Sequence, residues 1–540
     1  PTFGEEKNKS QRLYVELARA IADRGHEVYR FDFSGTADSS GSFDEATLAD
    51  WRQNLADVIS LARAEHEGCA LGLIGLRFGC ALTALEAGAA PGVEWLVHIA
   101  PAADVPRFMK RTLRGKLVKE LLTDGHVHAR RLPVERDAAT PVIDLDGFPL
   151  SRALERELMG MNVLDVAGAF TGSVLIVHAS RNPGLTADEN ALREHYSRAG
   201  AQVGVRKVCA EPYWSVHRIP SFDDIVREIV EWIGQPPASP RNRMHREGAS
   251  GKPAAVQHHD SIAVGDSRET VADVGAGGAQ VSAVVHVPGA WNGPEGTAVI
   301  LVHGWAGYRI GPHQMLVSAA REFCRQGFLC VRMDVRGRGN SGGRVGDADT
   351  QTMREDARSA VRYIATHYQP SRTVVLGQCL GGNAVLGVEE ADGFVVWSAP
   401  PVDQSVRAKF RKMRFMLRQY LAKAGNGETW RRLACGELNG SLIREAVVGH
   451  FRRDATPPGS GVQQLAGTRL SGKPCLMIYG EQDPDTEPAR RLLGAFCRRA
   501  GLMTEFRIIA GANHSFYSLV WKKEVVDITA DWLVKRFSRR

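Results

Sequence analysis

Long apolar runs are missing from this chain: no stretch of about 18 residues is apolar enough to span a bilayer, and no secretion signal is seen. Nine cysteines are scattered without paired spacing, and the odd count fits reduced thiols in the cytoplasm better than a disulfide framework. Zinc-ligand spacing, an RNA-binding signature and a long basic tail are lacking too. With 68 basic against 61 acidic residues, the net charge of +7 does not by itself indicate a nucleic-acid partner. What is present is ordinary globular composition, 44% hydrophobic and 24% charged, over 540 residues. That length exceeds one hydrophobic core, so two domains are expected.

The two halves repeat one another. "VYRFDFSGTADSSG" from Val28 matches "CVRMDVRGRGNSGG" from Cys330, placing Asp32 opposite Asp334 and Gly35 opposite Gly337 at an offset of 302 residues. "GLIGLRFGCALT" and "VVLGQCLGGNA" align at the same offset of 302, "VLIVHASRNP" and "CLMIYGEQDP" at 301, and Trp232 and Trp532 at 300. Four landmarks in one order and spacing indicate a tandem duplication. Apolar β-branched runs such as "TAVILVHG", "TVVLG", "FVVWSAP" and "CLMIYG" alternate with amphipathic stretches such as "LVSAAREFCRQG" and "MREDARSAVRYIATHY". The pattern predicts an α/β fold, two tandem domains each with a mostly parallel sheet flanked by helices and a helical cap insertion. The expected boundaries are 1–233, a flexible Pro-, Gly- and Ser-rich linker at 234–260, and 261–540. Pro1 falls opposite His303, so counterparts of Ser261 to Val302 are absent; the chain is a fragment, or its first copy lacks its opening strands.

The second copy carries a strand, a G-x-C-x-G turn and a helix, the arrangement of a nucleophile elbow. Gly377, Gly381 and Gly382 permit the sharp turn, and Cys379 stands at its apex. Downstream come Asp483, just after a strand, and His514, in a later loop, in the order nucleophile, acid, histidine that this fold uses. Asp403, after "VVWSAPPV", is the substitute acid. His303-Gly304 closes an earlier strand, so the N–H groups of Trp305 and Leu380 are the expected oxyanion hole, with His303 its structural partner. The expected chemistry is covalent: His514 takes the thiol proton, Asp483 orients the imidazole, and Cys379 attacks an acyl carbonyl of a small-molecule substrate. No metal or organic cofactor is needed for it.

At the same positions the first copy has Arg77, Asn182 and Trp214 in place of the cysteine, the aspartate and the histidine. An arginine cannot attack a carbonyl, and His178 and His217 nearby have no nucleophile to activate. The first copy is therefore expected to be non-catalytic. Arg77 either holds a carboxylate or phosphate, or forms a buried ion pair with a core acid. Each copy then carries a basic stretch, "VPRFMKRTLRGKLVKELL" and "VRAKFRKMRFMLRQYLAKAG". These suit a solvated cap face, an anionic substrate, an acidic partner or peripheral membrane contact.

These motifs resemble the α/β-hydrolase superfamily and, more narrowly, the paired hydrolases associated with exosortase A systems of exopolysaccharide-producing bacteria. "PTFGEEKNKSQR", "GLRFG" and "GFPLSRALERELMGMNV" are similar to the second type of those hydrolases, whose elbow carries arginine. "GYRIGPHQ" and "YLAKAGNGETWRRLACGELNGSL" are similar to the first type, whose elbow carries cysteine. The elbow here reads "GQCLGG" where that type has "GLCD" followed by small residues. The triad residues point to an ester or thioester hydrolase, with acyl transfer and a non-catalytic assembly role as the other readings, and the resemblance implies exopolysaccharide or protein-sorting loci as the context without naming a substrate.

Overall fold

The computed structural model describes residues 1–90, 92–123, 142–166, 170–214, 219–234, 261–401 and 470–538. The predicted linker beyond Gly234, the second basic stretch, Asp403 and His217 lie outside them. Two compact units emerge, one of Pro1–Thr112 with Leu150–His259 and the other of Leu113–Pro149 with Asp260–Arg540. Residues 113–149, in the first copy by sequence, thus group with the second unit.

The first unit contains α1 (Glu5–Ala22), α2 (Leu48–Glu65), β1 (Leu71–Leu76), α3 (Phe78–Ala87) and β2 (Val93–Ile99), followed by α4 (Val105–Thr123), which runs on into the second unit's segment. β3 (Val142–Leu145) and β4 (Phe148–Ser151) form a separate hairpin. Then come α5 (Arg152–Met159), α6 (Val163–Val166), β5 (Ser173–Ala179), α7 (Ala187–Arg198), β6 (Gln202–Val208) and α8 (Asp223–Ile233). The sheet order is β1-β2-β5-β6, all parallel. Val97, Ile99, Leu175 and Val177 pack with Leu13, Leu17 and Ile21 of α1 and with Ile225 and Ile229 of α8. Residues 28–33, aligned with a strand of the second copy, form no ladder. The strand that would bond them has no counterpart in 1–234, and an extended segment without a neighbour has no hydrogen-bonding partner.

The second unit has β7 (Ser261–Val264), β8 (Ser267–Asp273), β9 (Ser282–Val287), β10 (Thr297–Val302), α9 (Met315–Arg325), β11 (Leu329–Met333), α10 (Thr350–His367), β12 (Arg372–Gln378), α11 (Leu380–Val385) and β13 (Gly393–Trp397). β14 (Pro474–Gly480), α12 (Thr486–Arg499), β15 (Met503–Ile509) and α13 (Leu519–Phe537) complete it. The order β7-β8-β9-β11-β10-β12-β13-β14-β15 is parallel from β11 to β15 and antiparallel at β7, β8 and β9. Alternation along β10 serves both faces: Ala298, Ile300 and Val302 pack with Met353 and Ala357 of α10, while Val299 and Leu301 pack with α9 and α13. Burial on both faces explains the uninterrupted apolar run of this strand. α2 and α10 start at Leu48 and Thr350, 302 residues apart, each behind a capping box, Thr47 with Asp50 and Asp349 with Thr352.

Candidate active site

β10 and β12 are hydrogen-bonded neighbours with Val302 opposite Gly377, so the residues that follow leave the sheet side by side. After β12 the chain turns through Cys379, at φ 52°, ψ −124°, directly into α11. A non-glycine residue there is strained, and the surroundings hold it. The Cys379 N–H donates to Trp397 O at 2.8 Å. A Cβ on Gly377 would lie 2.3 Å from Gly381 O, and one on Gly381 2.5 Å from His303 O. Gly382 is pressed against Ala399 in the same way. Gly377 and Gly381 are therefore required by backbone contact, and Gly382 by the side chains of Ala399 and Val396.

His303 is fully buried, and its ring fixes the neighbouring loop. Nε2 accepts the Val335 N–H at 3.1 Å, so Nδ1 carries the proton and donates to Gly304 O at 2.6 Å. Burial pushes the imidazole down to about 4, against the opposing pull of Asp334, and keeps it neutral for this acceptor role. Gly307 N–H also donates to Gly304 O. With that carbonyl tied on one side, the trans peptide directs the Trp305 N–H to the other. A Cβ on Gly304 would come 3.0 Å from the Cys379 Cβ, so this loop lies against the apex. Leu380 opens α11, and its N–H has no carbonyl partner within the helix.

β14 and β15 pair with Gly480 opposite Ile509, which brings the segments holding Asp483 and His514 together. His514 Nδ1 donates to Asp483 Oδ2 at 2.8 Å; the carboxylate is buried and the imidazole about one-third exposed, at 32%. Burial lowers the proton affinity of His514, but the charge of Asp483, with Cys379 as a second partner, outweighs it and raises the imidazole well above its ordinary range. Nε2 is left for Cys379. Asp483, Asp485 and His514 each bring one ligand atom within 4.8 Å of the others. His514 Nδ1 and Asp483 Oδ2 are already engaged with each other in the direct 2.8 Å hydrogen bond.

In the first unit Arg77 holds the corresponding apex at φ 54°, ψ −119°. Its guanidinium donates to Glu6 at 3.2 Å and to Ala100 O at 3.3 Å, and stacks over Trp214 with Cζ 4.3 Å from the ring centroid. Arg77 and Trp214 thus meet, while the Asn182 side chain turns to the Gly184 N–H. His178 is locked between Glu189 at 2.7 Å and Asn182 O at 2.6 Å.

Two participants escaped the sequence reading. Glu6, partner of Arg77, is aligned with Tyr308, so the second copy offers no hint of it. Arg338 lies in the quoted "RGRGNS" but drew no role; its Nε donates to Trp305 O and its guanidinium sits 4.6 Å from the indole centroid. Trp305 Nε1 in turn donates to Ala348 O at 2.8 Å.

Comparison with known proteins assigns the fold. An alpha/beta hydrolase family model matches residues 299–528, and a serine aminopeptidase S33 model matches residues 7–218. Both halves are α/β-hydrolase domains. Among solved structures the chain is similar to a dienelactone hydrolase of Anabaena variabilis, at 14% identity over 50% of this chain and 98% of that one, TM-score 0.32. It is similar to Est1E of Butyrivibrio proteoclasticus with ferulic acid bound, at 15% identity over 49% and 99%, TM-score 0.34. A Pyrobaculum calidifontis esterase matches at 17% identity over 51% and 87%, TM-score 0.36. No curated protein matches the chain in sequence. No helix among the described residues is long and apolar enough to cross a membrane.

Proposed function

We propose that the second α/β-hydrolase domain is an acyl hydrolase of esters or thioesters that uses Cys379 as nucleophile. The supporting observation is the His514 Nδ1 to Asp483 Oδ2 hydrogen bond of 2.8 Å beside a cysteine at the elbow apex. His514 takes the thiol proton through Nε2, and Asp483 offsets the charge that the imidazole gains. The sulfur adds to the acyl carbonyl, and the N–H groups of Trp305 and Leu380 receive the oxyanion. As the tetrahedral centre collapses, the leaving alcohol or thiol receives its proton from His514, and a thioester remains on Cys379. Water, deprotonated by the same imidazole, releases the acid. The first domain is non-catalytic in this reading, its apex filled by Arg77, Glu6 and Trp214. The cysteines among the described residues are unpaired, which fits a reducing cytoplasmic setting. The motif similarity to exosortase A system-associated hydrolases makes acyl groups of exopolysaccharide assembly the first substrates to try.

Hydrolysis of p-nitrophenyl esters and acyl-CoA thioesters of graded chain length tests the reading. Turnover by the parent protein that disappears in both Cys379→Ala and His514→Ala supports it. Turnover that survives both substitutions places the chemistry elsewhere, and inactivity of all three, with acceptor alcohols and amines included, favours a non-catalytic assembly role.

A further inference from the structure

The hairpin of β3 and β4 turns through Asp146 and Gly147, at φ 50° and φ 80°, the pair of left-handed residues that a two-residue hairpin turn requires. Asp144, just before the turn, uses both carboxylate oxygens. Oδ1 accepts the Gly147 N–H at 2.7 Å, and Oδ2 accepts the Leu519 N–H, also at 2.7 Å. Leu519 is the first residue of α13, five positions after His514, and its N–H has no partner within the helix. The helix's own cap, Ser518, serves Trp521 at 3.2 Å instead. A carboxylate at this point also meets the positive end of the helix dipole.

Two more contacts join the turn to the same segment. Lys522, one helical turn further on, donates to Gly147 O at 2.6 Å and to His313 O at 3.3 Å. Gly147 itself lies against the loop: a Cβ there would be 2.9 Å from Tyr517 O and 3.0 Å from the His313 Cβ. Between His514 and the helix the loop is tight, with Phe516 buried at φ 49° and the Ser515 N–H tied to Asn513 Oδ1 at 3.0 Å. A displacement of its helical end is therefore transmitted to the imidazole.

We propose that Asp144 is a positioning residue for His514: its carboxylate ties the hairpin turn to the first N–H of α13 and so fixes the end of the loop that carries the imidazole. The inference rests on the reading of His514 as the base that activates Cys379. It gives the 113–149 segment, which by sequence belongs to the copy without the triad, a task in the second unit.

The test is alkylation of Cys379 by iodoacetamide in the full chain, followed by mass spectrometry of the Cys379 peptide across a range of pH. At about pH 6 the expected slowing is roughly 100-fold in His514→Ala, roughly 10-fold in Asp144→Ala and about 3-fold in Lys522→Gln; all three gaps narrow at about pH 9.5, where thiols ionise without help. A change confined to neutral and acid pH reports imidazole placement, which a general loss of stability would not produce. If His514→Ala is slow while Asp144→Ala and Lys522→Gln match the parent, the positioning role is overturned and the catalytic reading stands. If His514→Ala itself matches the parent, the catalytic reading fails and the inference falls with it. Should Asp144→Ala fail to fold by circular dichroism, Lys522→Gln, which leaves the hairpin sequence intact, decides by the same rates.

Discussion

Arg77 and Cys379 stand on nearly superimposable backbone, φ 54°, ψ −119° and φ 52°, ψ −124°, and each N–H donates to the neighbouring strand, to Ile99 O at 3.0 Å and to Trp397 O at 2.8 Å. Only one of them carries a side chain with nucleophilic chemistry, a thiol against a guanidinium. The strained apex belongs to the way strand and helix join in this fold, and it persists where Asn182 and Trp214 stand in place of the acid and the histidine. The turn after Asp32 and Asp334 makes the same point. Ser39 Oγ and Ser341 Oγ both donate to the aspartate's own carbonyl at 2.7 Å, and each carboxylate pairs with a cation from earlier in its copy, Lys7 in the first turn of α1 or Arg309 in the loop before α9. Features present in both domains are scaffold. The hydrogen-bonded Asp483 and His514 and the Arg338 grip on Trp305 occur in the second alone, where Thr36 and Phe3 are the aligned residues of the first.

The sharpest way to break this comparison is at the two apices. Cys379→Ala is expected to lower ester or thioester turnover by about 10⁴-fold, and Arg77→Ala to change it by less than about twofold. Equal losses in steady-state assays would dissolve the distinction between the domains. Next is Asp483→Asn, expected to reduce turnover by roughly 10² to 10³-fold. Because Asp483 holds the His514 proton affinity up, the imidazole of that variant should titrate at lower pH by NMR; an unchanged titration would mean the carboxylate is not its partner.

The shared scaffold can be compared through stability. Asp334 is fully buried and accepts from the Arg309 N–H at 2.7 Å, the Arg309 guanidinium and the Asn340 N–H at 2.9 Å. Asp334→Ala is expected to cost about 3 kcal/mol in urea unfolding, because a buried guanidinium loses its counter-charge. The Asp32 side chain is 24% exposed, and Asp32→Ala should cost about 1 kcal/mol after solvent screening. The smallest effect is a pH dependence. His303, held at about 4 when folded, gains its proton first in the unfolded chain, so stability falls as pH drops from the ordinary histidine range towards that value. The His303 share of that loss should be about 1 kcal/mol by pH 5.5, and His303→Asn should flatten the pH dependence by that amount while the share of buried His286 persists, as judged by urea midpoints at each pH. The first copy has Pro1 at the aligned position.

Much of this architecture was legible in the chain. Uninterrupted apolar runs marked strands covered on both faces, an offset near 302 residues exposed the duplication, and glycines around Cys379 marked a turn that side chains would block. Those signals are local: periodicity and steric demand act within a few residues, and they repeat whenever the fold repeats. For Arg77 the sequence allows either a bound anion or an ion pair, and packing supplies Glu6. The ties of Asp144 to Leu519, and of Arg338 to Trp305, join residues 375 and 33 positions apart. Such pairings depend on where the sheet and its insertions bring distant side chains, and no short-range pattern encodes that meeting. The chain by itself specified the two α/β-hydrolase scaffolds and the order of the candidate triad; only the tertiary structure decided which charges meet, because a hydrogen bond or ion pair forms where long-range packing has removed the competing water.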